Sequence, residues 1–87
     1  MDYSILVEIV GWIGTFLLLT AYVLVSLKKL EGDSVKYQIM NMVAGLCLVT
    51  NTLYHGAYPP SFLNAVWSII AVIAIVTIGR KSGKSTT

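Results

Sequence analysis

Three apolar runs, each about as long as a bilayer core is thick, are separated by two short polar connectors. The runs cover roughly 5–27, 35–55 and 60–79 and predict three helices. The third is the most revealing. No charge occurs between Ser61 and Ile78, yet Ser61, Asn64, Ala65, Ser68 and Ala71 recur at helical spacing. One narrow face is therefore small and polar, and the remainder is Val, Ile and Leu. An amide among lipid tails has hydrogen-bonding positions that no water can fill. That face must look at protein or at a wet cavity.

The other two runs carry comparable stripes. In the first, Glu8, Gly11, Thr15, Leu18, Tyr22 and Ser26 share a face, with Gly14 and Ala21 alongside. Small residues at this spacing admit a close neighbour, and Glu8 near the start complements the positive end of the helix dipole. In the second, Gln38, Asn41, Gly45, Leu48, Thr52 and His55 alternate by three and four, with Asn51 on the adjoining edge. The first connector, Lys28 to Ser34, is charged and turn-like, and Asp33 or Ser34 is the expected N-cap of the second helix. The second connector, Gly56 to Pro60, is stiffened by its prolines, with Pro60 in the first turn of the third helix.

Composition changes the picture in one respect. With 87 residues that are 56% hydrophobic and 11% charged, the chain carries more apolar surface than a soluble fold of this size can bury. A bilayer accommodates the excess. The beginning, Met1-Asp2-Tyr3-Ser4, has no positive segment, and the run after it is too long for a signal-peptide core, so the first run reads as a retained span. The expectation is an all-α membrane protein of one domain: a three-helix bundle over 1–79, then a basic, disordered tail over 80–87.

Charge sets the orientation. Lys28, Lys29 and Lys36 flank the first connector, and Arg80, Lys81 and Lys84 lie in the tail. The N-terminus and the Tyr54–Pro60 region have no Lys or Arg. The positive-inside rule puts the N-terminus outside and the tail in the cytoplasm. Glu8, Asn51, Asn64 and Trp67 then fall in the outer half, and Tyr22, Ser26 and Asn41 in the inner half, as two polar layers separated by aliphatic residues.

Chemistry of other kinds finds little support. Cys47, the single cysteine, has no partner for a disulfide and reads as a packing residue. One His with one Cys cannot assemble a metal site of ordinary ligand number, and no nucleophile–base arrangement is visible. Gly79-Arg-Lys-Ser-Gly-Lys-Ser resembles a phosphate loop but follows an apolar run and opens no helix. No aromatic-interleaved basic patch points to nucleic acid. The expectation is a protein that is not an enzyme and holds no cofactor or metal.

Three packed helices leave a seam and no path. If polar faces line a space, a second copy must supply the other wall. With three crossings, two copies in one orientation form a parallel dimer about an axis along the membrane normal. The segment Tyr54-His-Gly-Ala-Tyr-Pro-Pro-Ser-Phe-Leu-Asn64-Ala-Val resembles the second-loop and third-helix region of the SemiSWEET half-transporters, within the PQ-loop superfamily. The first connector, ending in Asp33-Ser34, is similar in length, and the three-helix size, orientation and basic tail agree. The Pro-Gln pair that names the superfamily is absent near Tyr22-Val23, and Asn51 stands where the family has a pocket tryptophan. The chain looks equally like small bacterial three-helix membrane proteins without an assigned role.

The resemblance implies a homodimeric facilitator in a bacterial inner membrane, carrying a small neutral polar solute such as a sugar. Asn64 sits where the family has its pocket asparagine, with Asn51, Trp67 and Ser68 nearby. The outer gate would involve Tyr54 and Tyr58, and the inner gate Tyr22 and Asn41. Glu8, the acidic group nearest the membrane interior, is the candidate for coupling and also lies within reach of His55. Two rivals share the sequence features: a non-transporting assembly or regulatory subunit, and a weakly selective channel-forming oligomer.

Overall fold

The computed structural model describes residues 3–85 and is all-helical: α1 (Ser4–Ser26), α2 (Val35–Tyr54) and α3 (Tyr58–Ser85). Met1, Asp2, Thr86 and Thr87, with the terminal features read there, lie outside the described residues. α2 starts where expected because Ser34 is extended and its Oγ accepts the Tyr37 N–H at 3.2 Å. Ser34, and not Asp33, is the cap. The Gln38 Nε2–H donates to the Gly32 carbonyl at 2.9 Å and ties the connector to the helix it precedes.

α1 and α2 end alike. The residue after each C-cap adopts a left-handed conformation: Lys28 at φ 61° and Gly56 at φ 70°. After α1, the Lys29 N–H reaches back to the Leu24 carbonyl at 2.8 Å and the Lys28 N–H to Val25 at 3.0 Å. After α2, Ala57 bonds Thr52 at 2.8 Å and Gly56 bonds Leu53 at 3.0 Å. Both are Schellman closures, which occupy carbonyls the helix leaves open. Glycine adopts this geometry without strain, and lysine does not.

α3 begins at Tyr58, so Pro59 and Pro60 both occupy its first turn, where the missing N–H groups go unmissed. It also continues past Gly79 to Ser85, through residues read from the sequence as a disordered tail. Nothing there breaks a helix once one is propagating: Gly79 and Gly83 are each isolated, and no proline follows.

α2 lies between the other two, packing on both, while α1 and α3 do not pack on each other among the described residues. Helices α1 and 58–81 are long and apolar enough to cross a bilayer. α2 is less apolar, because Gln38, Asn41, Asn51 and two threonines interrupt its aliphatic residues. The buried hydrophobic set is made of small groups: Val7, Ala21, Ala44 and Ala71. Large apolar side chains face outward instead, among them Ile5, Trp12, Phe16, Phe62, Ile69 and Ile73, each more than half exposed. A soluble bundle has the opposite arrangement, with Leu and Ile inside.

The two helix ends give a paired test. Gly56→Ala should lower stability by about 1–2 kcal/mol, and Lys28→Gly should raise it by about 1 kcal/mol. Thermal unfolding followed by circular dichroism in detergent would read both, and opposite signs are expected.

Candidate functional site

Two close seams hold the bundle. On α1, Gly11 and Gly14 form a shallow notch. A Cβ added at Gly11 would meet the Asn51 carboxamide, its Cγ at 2.7 Å, and one at Gly14 would meet Cys47 Cβ at 2.8 Å. On α2, a Cβ at Gly45 would collide with the Ser68 hydroxyl and approach the Asn64 carbonyl at 3.2 Å. Glycine at these three positions lets backbones come together without any driving force from water.

The polar groups of α2 are largely satisfied inside the chain. The Asn51 Nδ2–H donates to the Val7 carbonyl at 2.9 Å, tying α2 to α1. The Ser61 hydroxyl donates to Thr52 Oγ1 at 2.8 Å, and Thr52 passes its own proton to the Leu48 carbonyl at 2.7 Å. Thr50 donates back to Leu46 at 3.0 Å, and on α1 Thr15 and Thr20 do the same to Gly11 and Phe16. Back-bonding to the preceding turn removes a hydroxyl from the list of groups needing an outside partner.

The small polar stripe of α3 thus faces α2 of the same chain. Ser61, Ser68 and Ala71 are buried there. Among the described residues Ser68 Oγ has no hydrogen-bond partner; it fits against the bare Cα of Gly45. Asn64, one turn earlier, is half-buried, and its carboxamide bonds to none of the described residues.

A furrow follows α2, bounded by α1 at one end, by both α1 and α3 in the middle and by α3 at the other end. It comprises three hollows in series. The first, about 180 Å³, is lined by Glu8, Gly11, Trp12, Thr15, Leu48 and Asn51. The second, about 160 Å³, is lined by Leu18, Gly45, Leu48, Leu63, Asn64 and Trp67. The third, about 200 Å³, has Tyr37, Gln38, Asn41, Trp67, Ile70 and Ala71 around it. Leu48 is common to the first two and Trp67 to the last two. The Trp67 indole N–H donates to Asn41 Oδ1 at 3.4 Å, so Trp67 lies across the groove as a bar.

The sequence-derived candidates distribute along this feature. Glu8, Asn51, Asn64 and Trp67 all line it; Ser68 sits behind it in the α2–α3 seam. Asn41 is 4% exposed and lies beneath Trp67, so the outer and inner polar layers meet there instead of being separated by aliphatic residues. Tyr22 lies one turn beyond Leu18 on the same face of α1 and is 66% exposed. Tyr54 and Tyr58 are exposed at the other end of the bundle, and the Tyr54 ring meets His55 edge-on at 5.4 Å between centroids.

Glu8 is at the mouth of the first hollow. Its Oε2 lies 3.9 Å from His55 Nε2, and its Oε1 accepts the Trp12 indole N–H at 3.2 Å. Trp12 was not among the sequence candidates, although its position four residues after Glu8 puts both on one face. Among the described residues, no cluster of three or more His, Cys, Asp or Glu has the arrangement of a metal site.

Residues 7–82 match the model of an uncharacterised protein family, and the chain belongs to that family. No curated protein and no solved structure matches it.

Two substitutions separate the roles of the buried polar groups. Asn51→Ala removes the α2–α1 bond and should cost about 1 kcal/mol. Ser68→Ala removes a hydroxyl that has no partner and should be neutral or stabilising by up to about 1 kcal/mol. Unfolding in detergent, read by circular dichroism, checks both.

Proposed function

We propose that the chain is a multi-pass protein of a bacterial inner membrane, working as a parallel homodimer that passes a small neutral polar solute. The furrow along α2 carries the reading: three hollows in line along one helix, each with at least one polar side chain, Asn51, Asn64 and Asn41 in turn, set in a largely apolar lining. Two copies apposed through this furrow enclose a path that neither encloses alone. Asn64 is the group best suited to a solute hydroxyl, being half-buried in the groove with its carboxamide unused. Asn51 contributes its carbonyl oxygen and one N–H, since its other amino hydrogen is held by Val7.

Membrane residence draws on the outward aliphatic and aromatic side chains and on the two helices of spanning length. α2 is the third span. Its polar load is compatible with lipid because Asn51, Thr50 and Thr52 bond to backbone carbonyls and Asn41 to Trp67. Lys28, Lys29, Lys36, Arg80 and Lys81 sit at one end of the bundle, which supports a cytoplasmic position for that end and an outer one for the Glu8–His55 end. The SemiSWEET resemblance implies the same arrangement of copies. A non-transporting assembly subunit is the second reading, favoured by the number of polar groups already bonded within the chain.

Uptake of glycerol and of neutral monosaccharides into liposomes tests the proposal. The wild-type chain should carry at least one of them faster than protein-free vesicles, and Asn64→Ala should reduce that flux by at least about tenfold, ~1.4 kcal/mol, with the dimer intact by cross-linking. No flux above protein-free vesicles, or unchanged flux in the variant, overturns it. A sealed dimer without flux favours the assembly subunit, and passage of ions with little discrimination favours a channel.

A further inference from the structure

We infer that the loop end of the bundle carries a binding site for one phospholipid whose headgroup holds both a phosphate and a primary ammonium, such as phosphatidylethanolamine. The site is a recess of about 660 Å³ between the first connector and the last turns of the membrane-spanning part of α3. It exists because α3 overshoots α2. α2 begins only at Val35, so α3 past Ile73 has the connector as its neighbour and a gap beneath it, with Ile70 and Gln38 at the inner edge of that gap. The bond from Gln38 to the Gly32 carbonyl holds the connector over that gap as a roof.

The lining is amphipathic along one direction. Ile73, Ala74, Thr77 and Ile78 lie three, four, seven and eight residues after Ile70, and Lys81, eleven after it, ends the series on the same face of α3. From Ile70 to Lys81 the helix rises roughly 16 Å at about 1.5 Å per residue, close to the reach of an extended acyl chain. An apolar wall of that length with a cation at its end matches a fatty chain leading up to a phosphate. Asp33, on the connector, supplies the opposite charge at the same mouth. Among the described residues, neither Lys81 nor Asp33 has an ion-pair partner, so both charges are free to engage a ligand. A phosphate beside Lys81 and an ammonium beside Asp33 answer both; phosphatidylglycerol answers only the first.

The inference rests on the membrane reading and not on transport. The test uses the full chain in detergent, titrated separately with phosphatidylethanolamine and phosphatidylglycerol, with bound lipid counted by native mass spectrometry. The ethanolamine lipid should be retained about tenfold better. Asp33→Asn should erase that preference, and Lys81→Gln should weaken retention of both lipids. Lys36→Gln, a charge change away from the recess, should alter neither, and each variant must keep wild-type helicity. Equal retention of the two lipids by the wild-type chain, or an undiminished preference in Asp33→Asn, overturns the site while leaving membrane residence standing. Release of the chain from membranes by alkaline carbonate would overturn membrane residence and the lipid site together.

Discussion

The architecture depends on how closely α2 can be approached from two sides. Apolar side chains gain little by leaving lipid for protein, so the association of helices in a bilayer rests on tight van der Waals contact and on a few bonds between polar groups. Gly11 and Gly14 admit α2 to α1; Gly45 admits α3 to α2. Each approach is then fixed by hydrogen bonds: Asn51 to Val7 on one side, Ser61 to Thr52 and Trp67 to Asn41 on the other. A side chain larger than hydrogen at any of the three glycines would force a neighbour to shift. The core is consequently made mostly of alanine, serine and glycine, with Val7 and Asn41, and most bulky residues are left for the surroundings.

The groove follows from the same arrangement. Two helices that both bind a third, with their own backbones held apart, leave a furrow whose floor is the third helix. Leu48 occupies the middle of that floor and separates the hollow holding Glu8 and Asn51 from the one holding Asn64. The asparagines differ in what remains to them. Asn51 is bonded through its amino group, Asn41 receives the Trp67 N–H, and the Asn64 carboxamide keeps its full capacity. A polar solute would meet its freest partner at Asn64.

Much of this was legible from periodicity. The three helices, the Ser34 or Asp33 start and the small polar face of α3 all follow from spacing, because burial against a neighbour imposes a 3.6-residue rhythm whatever that neighbour is. Its identity was not legible. The stripe through Ser61 and Ser68 says that something packs there, and only the structure places α2 of the same chain in that role. Nor could spacing reveal the reach of an indole: Trp67 and Asn41 belong to different depths by residue number and still touch. The continuation of α3 beyond Gly79 was hidden because a basic, glycine-containing segment reads as coil, while a growing helix carries such residues at modest cost.

The two seams are unequal in their fastenings, and this has a mechanical consequence. α3 is keyed into α2 at three levels: the hydroxyl of Ser68 in the gap left by Gly45, the Ser61–Thr52 bond above it and the indole on Asn41 below. α1 meets α2 through the smoother glycine notch and, near one end, the Asn51 carboxamide and the Glu8–His55 contact. The α2–α3 seam is therefore fastened by side chains at more levels along its length than the α1–α2 seam. Both side-chain ties from the α2 end to α1, Asn51 to Val7 and His55 to Glu8, lie away from the Leu27–Ser34 turn, so the turn and these ties hold α1 at its two extremities and the glycine notch holds its middle.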